Sequence, residues 1–387
     1  MYCFKHRFLT IIVMAVVMLA LVLSFTFIGC KKTQTISESK EAKTYEDIEK
    51  NFKGELNGLF LAGYDEASAL DPFLKKYGIN LKATYFGTFD EAFNKIKTSA
   101  PGTFDIVSTT NGYMQPWVAA GILEPLNLDL IPNWTKMSKV FQEFSFGVED
   151  TTVKYNIPFT FGSAVCNYNS NFMEPIESWT ELLDPKYKGK IAMVDDWQGQ
   201  IMNTARITGY SKENWLLTPD ELEAAKKFLI ELKANSKAIA PTWGDLISMF
   251  LAQDVWVTNE GWEYLSITGA EEGIPIFHNI PKEGAFSWCD GIAIVKDAPN
   301  LDTAYGLVNQ IISKEGQAAF GNTLGTGLVN QEALPDVDEK LVNLFPYDKI
   351  DEFLTKVAPI YQIPPKESGE FATQDDWIKT WEEVKLK

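Results

Sequence analysis

The chain has 387 residues and a net charge of −17, with 52 acidic against 35 basic side chains. This acidic balance argues against a nucleic-acid partner, because phosphate backbones are bound by basic surfaces. Arg7 and Arg206 are the only arginines, so the forked guanidinium groups that usually hold carboxylate or phosphate ligands are scarce.

Cysteine and histidine are too few and too scattered for a metal site. Beyond the N-terminal region there remain Cys166, Cys289 and His278, and none of them stands at a zinc-ligand spacing. Two distant cysteines form no disulfide framework, although an exported protein could hold one bridge. We therefore expect two buried thiols and no cofactor.

The first 29 residues have the pattern of an export signal. Lys5 and Arg7 precede an apolar run at 8–27, and Gly29-Cys30 follows it. Gly29-Cys30 resembles a bacterial lipoprotein processing box, in which Cys30 is lipidated and becomes the mature N-terminus. An uncleaved anchor is the alternative, because the run is long enough to span a bilayer. Both arrangements predict an extracytoplasmic location, in a periplasmic space or at the cell surface, held at the membrane.

Residues 30–53 are polar and have no sustained apolar pattern, which predicts a flexible tether. The remaining chain is too long for one compact core and suits two lobes. Apolar strands at 55–61, 80–85 and 104–108 alternate with amphipathic helices at 67–77, 89–98 and 113–120. This order predicts an α/β fold with a parallel sheet that is covered by helices on both faces.

The carboxyl ends of these strands are candidate ligand-binding positions, because ligands of open α/β sheets collect there. The ends carry Tyr64, residues 86–88, and a segment that includes Thr110 and Tyr113. These side chains are therefore the first candidates for a site.

A second unit begins after 157–162, a segment with Pro and Gly that suits a crossing point. It contains predicted strands at 190–194, 255–258 and 274–280. Its best-signalled helix runs over 219–233, because Thr218 and Glu221 form a capping box and Pro219 suits the first turn.

The strand at 286–294 carries the most informative pair of side chains. Since side chains alternate along a strand, Trp288 and Asp290 share one face and Cys289 points the other way. An indole beside a carboxylate suits an organic cation, which gains a π face and a charged acceptor. The alternative is a core Trp next to an Asp that turns the chain before Gly291.

Several of these segments resemble the spermidine/putrescine-binding proteins of ABC importers. The sequence W-T-E-L-L-D-P-K-Y-K-G-K-I at 179–191, followed by Asp195-Asp196, is similar to the central segment of that family. The segment 281–284 followed by Trp288 and Asp290 is similar to the region that holds the family's Trp-x-Asp ligand pair. Segments 104–107 and 304–325 also match, so the resemblance covers nearly everything after residue 54.

The resemblance implies a two-lobe clamshell of the type II periplasmic-binding-protein class. Lobe 1 would take residues 54–160 plus about 290–325, and lobe 2 would take 161–289 plus about 326–387. The ligand binds in the cleft, the lobes close, and the closed form delivers it to a membrane permease. The protein is then expected to be a monomeric binding subunit and not an enzyme.

Carried over residue by residue, the resemblance assigns further ligand-binding positions. Tyr64 falls at a cleft Tyr, with a surface Tyr as the alternative, and Thr110 and Tyr113 lie where the family uses a Ser and a Tyr. Asp196 matches a carboxylate that holds one amine, although Asp also caps helices readily. Trp262 matches an aromatic that covers the alkyl chain, and a core Trp is its alternative.

Two positions depart from the family pattern. The family's second acidic group, three residues after the Asp196 position, falls at Gly199, and the loop at 325–330 lacks the family's Tyr. A buried ammonium group without a partner costs several kcal/mol, so losing a carboxylate weakens the case for a long polyamine. Glu260 and Glu263 are the residues that could compensate.

The sequence therefore predicts a lipid-anchored solute-binding subunit whose ligand is putrescine or spermidine. Trp288 and Trp262 would enclose the methylene chain, while Asp290 and Asp196 would receive the ammonium groups.

Three alternatives stay open at this point. A sugar or other neutral polyol also suits Trp stacking with Asp and amide donors. An extracytoplasmic glycosidase could use the pair Asp195 and Asp196, but neighbours on an extended chain point to opposite faces, which places that pair badly. A surface adhesin would bind no small molecule.

Overall fold

The computed structural model describes residues 43–144, 152–207, 216–360, 364, 367 and 369–387. The predicted signal and Cys30 lie outside these residues. Within them, no helix combines the length and apolar character that a membrane span requires.

The strands are β1 (Gly54–Leu61), β2 (Ile79–Phe86), β3 (Ile106–Thr110), β4 (Ile157–Ser163), β5 (Cys166–Asn169), β6 (Ile191–Val194), β7 (Ala238–Ala240), β8 (Val257–Thr258), β9 (Ile276–Asn279), β10 (Ser287–Ile294) and β11 (Gly327–Leu328). The helices are α1 (Tyr45–Glu49), α2 (Ala67–Tyr77), α3 (Phe89–Thr98), α4 (Met114–Ala119), α5 (Lys139–Phe144), α6 (Trp197–Ile207), α7 (Pro219–Asn235), α8 (Trp243–Leu251), α9 (Leu265–Glu271), α10 (Leu301–Ile311), α11 (Lys314–Leu324), α12 (Glu339–Val342), α13 (Ile350–Glu352) and α14 (Gln374–Leu386).

Local sequence signals set the bounds of several helices, and the capping box predicted at Thr218 is one of them. Thr218 accepts a hydrogen bond from the Glu221 N–H at the start of α7, and the Glu221 carboxylate accepts one from the Thr218 N–H in return. At the other end of a helix, Gly78 stops α2 with a φ of 63°, a left-handed conformation that glycine adopts at little cost.

The first sheet has six strands in the order β11-β4-β10-β3-β1-β2. β1 pairs in parallel with β2 and with β3, as the βαβαβ pattern predicted. β10 then runs antiparallel between β3 and β4, and β11 adds an antiparallel edge. Every residue of β4 is buried, including the polar Thr160 and Ser163.

The second sheet has five strands in the order β7-β6-β8-β5-β9. β6 is parallel to β7 and β8, whereas β5 is antiparallel to β8 and β9. The described chain changes sheets between β4 and β5 and again between β9 and β10. It changes once more after Ile360, because α14 packs with the second sheet.

Each sheet has its own apolar core, and these cores correct the predicted lobe bounds. Val329, Phe345 and Ile350 belong to the core of the first sheet, so residues 327–350 pack with lobe 1 and not with lobe 2. Trp377 and Trp381 of α14 belong to the core of the second sheet. The reason is β11, which pairs with β4 and keeps the following chain on that side.

The predicted tether is also shorter than expected at its C-terminal end. Thr44 caps α1 with a capping box, and Ile48 and Phe52 are buried in the core of the first sheet. Ile48 is the one buried residue of this five-residue helix, which is too short to show a recognisable periodicity.

Cys166 and Cys289, the two cysteines within the described residues, are free and buried, which confirms the expectation of two buried thiols. Cys289 packs in the core of the first sheet and Cys166 in that of the second.

Asp105 ties the first sheet to the start of α10. It is fully buried and accepts hydrogen bonds from the backbone N–H groups of Asn57 and Asn300, both at 2.8 Å. Asp105→Asn replaces one acceptor oxygen by a donor, so we expect the free energy of unfolding to fall by about 1.5 kcal/mol. Urea titration of this variant, with the exposed Asp129→Asn as control, checks the expectation, and equal midpoints would contradict it.

Candidate functional site

A cavity of about 530 Å³ lies between the two sheets and brings together all seven residues that the sequence assigned to the ligand. Nine separate segments of the chain contribute to it. The residues that line it include Tyr64, Thr88, Phe89, Thr110, Tyr113, Asp196, Gln198, Trp243, Glu260, Trp262, Phe286, Trp288, Asp290 and Thr326. Its volume is typical of a site for a small molecule.

Asp290 lines the cavity from β10 of the first sheet and is buried, with 6% of its surface exposed. The register of the β10–β4 pairing shifts directly after it, between Asp290 and Gly291. The Tyr64 hydroxyl donates a hydrogen bond to Asp290 Oδ2 at 2.5 Å, and the Thr110 hydroxyl bonds the same carboxyl from the paired position on β3. Burial raises the pKa of Asp290 to about 6, and the two hydroxyl groups limit that rise.

Trp288 lies two residues before Asp290 on β10 and lines the cavity with it, as strand alternation predicted. Its indole fills the space beside Gly162, which is its partner on β4. A Cβ atom at Gly162 would lie 2.3 Å from Trp288 Cζ2, so the glycine is needed for this ring position. The ring is half-buried and leaves a face toward the cavity.

Trp262 comes from the second sheet and forms an edge-to-face pair with Trp243, with ring centroids 5.3 Å apart. Trp243 begins α8 and is 40% exposed. The sequence did not single out Trp243, because a Trp at a helix start has no distinctive pattern. Phe89 and Tyr113 form a further ring pair on the first-sheet side, with centroids 5.7 Å apart.

Asp196 combines the two roles that the sequence left open. Its Oδ1 accepts the Gln198 N–H at 3.0 Å at the start of α6, as a helix cap does, and its side chain also lines the cavity. The neighbouring Asp195 points away from the cavity, where it accepts hydrogen bonds from Trp381 Nε1 at 2.6 Å and from Lys385 Nζ. The prediction that this pair is badly placed for glycosidase chemistry is therefore confirmed.

The two glutamates that could compensate for Gly199 differ in position. Glu260 follows β8, lines the cavity and is 1% exposed. Glu263 accepts the Ser163 N–H at 3.0 and 3.1 Å, and burial raises its pKa to about 7, but it does not line the cavity. Thr326, from the other departing segment, lines the cavity and bonds Thr160.

The chemistry of the lining is acidic and aromatic. Asp196, Glu260 and Asp290 are its three carboxyl groups, and seven aromatic rings surround them. None of the described lining residues is Lys, Arg or His. Such a lining disfavours an anion and offers acceptors and π faces to a cation.

Two periplasmic binding proteins are similar to this chain in sequence. The spermidine/putrescine-binding periplasmic protein of Escherichia coli (strain K12) is 25% identical over 284 residues, which cover 72% of this chain and 79% of that protein. The putrescine-binding periplasmic protein SpuD of Pseudomonas aeruginosa (strain UCBPP-PA14) is 25% identical over 343 residues, covering 83% and 89%.

A solved structure, the spermidine/putrescine ABC transporter substrate-binding protein PotD from Streptococcus pneumoniae, has a TM-score of 0.70 at 21% identity. The match covers 86% of this chain and 98% of that one, and it confirms the predicted two-lobe α/β fold class. The family model for bacterial extracellular solute-binding protein matches residues 68–343. The chain belongs to the bacterial extracellular solute-binding protein family.

Proposed function

We propose that this protein is the substrate-binding subunit of an ABC importer and that it captures a small organic cation, with putrescine or spermidine as the first candidates. The observation that carries the proposal is the lining of the cleft, in which three carboxyl groups and seven aromatic rings face the cavity without a basic side chain among the described lining residues. A neutral polyol would not require this accumulation of acidic groups, since hydroxyl groups are satisfied by neutral donors and acceptors.

The two walls of the cleft suit a diamine, which has a charged group at each end and apolar methylene groups between them. Asp290, with its Tyr64 and Thr110 partners, would receive one ammonium group from the first-sheet side. Asp196 would receive another from the second-sheet side, and Trp288 and Trp262 would cover the methylene groups between them. Tyr113 adds a further ring beside Phe89.

The importer role requires the lobes to close on the ligand. Each sheet with its helices would act as one lobe, and the segments that join the sheets would serve as the hinge. A ligand that contacts carboxylates on both walls stabilises the closed form, because it binds that form better than the open one. The permease would then recognise the closed form.

The proposed location is extracytoplasmic, with Cys30 lipidated and holding a monomeric protein at the membrane. The export-type residues 1–29 and the Gly29-Cys30 pair support this anchor. Mass spectrometry of the membrane-extracted protein tests it, because a diacylglycerol mass on an N-terminal Cys30 peptide is expected. An intact residue 1–29 segment would contradict it.

Calorimetric titration of the purified protein with putrescine, spermidine, spermine, a quaternary amine and several sugars tests the function. We expect micromolar or tighter binding of one amine, together with a smaller radius of gyration in X-ray scattering when that amine is present. Binding of a sugar with silence from every amine would overturn the cation proposal and leave the fold untouched.

A further inference from the structure

The carboxyl group of Glu260 packs directly against Gly199 in the wall of the cleft. A Cβ atom at Gly199 would lie 1.5 Å from Glu260 Oε1 and 2.3 Å from Cδ, so the Glu260 carboxyl group occupies the space that any side chain at 199 would take. The acidic group that the family pattern has three residues after the Asp196 position is absent at Gly199. A carboxyl group nevertheless stands there, supplied by the loop after β8.

The Glu260 carboxyl group is incompletely satisfied in this position. The residue is 1% exposed and lines the cavity, and its Oε2 atom has no hydrogen-bond donor among the described residues. A buried carboxylate oxygen without a donor is costly unless the group is protonated or a cation arrives.

Asp196 and Glu260 both line the cavity, and their carboxyl groups interact with each other. Glu260 is buried and Asp196 is partly buried, so ionising both neighbouring carboxyl groups without a cation is costly, and one proton held between them satisfies both. Burial and the Asp196 charge raise the pKa of Glu260 well above its usual range, and burial raises that of Asp196.

The remaining charged groups near this pair do not neutralise it. Asp195 adds negative charge beside Asp196, and Lys385 binds Asp195 on the side away from the cavity. Tyr113 faces Asp196 across the cleft with its hydroxyl protonated, since burial raises its pKa. Gln200, which faces Glu260 from α6, is neutral.

We propose that Glu260 is a specificity-determining residue and that the Asp196–Glu260 pair exchanges one proton for one ammonium group of the ligand. In the free protein the pair holds a single proton between its oxygens. When the ammonium group enters, that proton leaves to solvent, and both carboxylates accept hydrogen bonds from the ligand. This inference rests on the proposed capture of an organic cation.

Proton release can be counted by calorimetry with the wild-type protein alone. Putrescine and spermidine are titrated at pH 7.5 in buffers of different ionisation enthalpy, and the slope of observed enthalpy against buffer enthalpy gives the protons released. We expect up to one proton per ligand bound. We also expect the affinity to rise with pH by up to about tenfold per pH unit while the pair is protonated in the free state.

Glu260→Gln keeps the volume of the side chain and removes the shared proton. This variant should bind the amine without releasing a proton and with a nearly flat affinity between pH 6.5 and 8.5. Glu260→Asp, which retains a carboxyl group, should retain release. Asp297→Asn is the control, because Asp297 is an exposed carboxylate after β10 that does not line the cavity, and it should behave as wild type.

The failure of this inference can be told apart from failure of the proposed function. Amine binding by the wild type without proton release, or with release unchanged in Glu260→Gln, would overturn the proton exchange and leave the transport proposal intact. Absence of any amine binding would overturn the proposed function itself. If Glu260→Gln does not fold, the wild-type proton count decides.

Discussion

Asp290→Asn is expected to weaken binding of the cognate amine by at least about 30-fold. The substitution keeps the shape of the side chain, but it removes the buried charge that pairs with an ammonium group, a loss of about 2–5 kcal/mol. Calorimetric titration at pH 7.5 measures the change. Asp297→Asn, an exposed carboxylate three residues after β10, is the matched control and should leave affinity unchanged.

Tyr64→Phe separates the charge of Asp290 from its hydrogen bond. Without the phenol, the carboxylate loses a donor at 2.5 Å but keeps its charge, so a loss of about tenfold is expected. A Tyr64→Phe protein that binds as poorly as Asp290→Asn would mean that positioning and not charge dominates at this wall.

The same carboxylate predicts how affinity responds to acid. The cation binds the ionised form of Asp290, whose pKa burial raises to about 6. Affinity should therefore fall as the pH falls through about 6, and Asp290→Asn should lose this part of the dependence. A wild-type affinity that stays constant from pH 7 to 5 would contradict the assignment of Asp290 as an ammonium partner.

Trp288→Ala is expected to weaken the same ligand by about 30-fold. The indole contributes apolar contact with the methylene groups and cation–π attraction, together about 2 kcal/mol in an enclosed site. Trp288→Phe should recover most of the loss, because a smaller ring keeps a π face beside Gly162. The affinity ratio of the two variants measures this recovery, and equal losses would show that ring stacking is not what Trp288 supplies.

Alternation along one strand was sufficient to place Trp288 and Asp290 on the cleft wall. The rule is local, and the register of β10 between β3 and β4 preserves it up to the irregularity after Asp290. The carboxyl ends of β1 and β3 likewise supplied Tyr64 and Thr110, since parallel strands present those ends on one edge.

Contacts that depend on loops were harder to predict. Trp243 reaches the cleft through the orientation of α8 against Trp262, and no spacing in the sequence encodes that orientation. The fit of Glu260 beside Gly199 joins residues 61 positions apart, so a missing side chain in one segment can be recognised as room for another only in three dimensions.

The predicted boundary between lobe 1 and lobe 2 after residue 325 was wrong for a similar reason. β11 is two residues long, and its sequence carries no signal that predicts its pairing with β4. That pairing holds residues 327–350 on the first sheet, where they bury Phe345 and Ile350. A short edge strand is decided by its partner and not by its own propensity.

The most direct test of a cation site compares two ligands that differ only in charge. Titration of the purified protein with 1,4-diaminobutane and with 1,4-butanediol at physiological salt holds the methylene chain constant and replaces each ammonium group by a hydroxyl. The carboxylates on both walls predict that the diamine binds at least about 1,000-fold more tightly than the diol, in keeping with two lost charge pairs. Equal affinity for the two ligands, or tighter binding of the diol, would contradict the proposal that the cleft binds an organic cation.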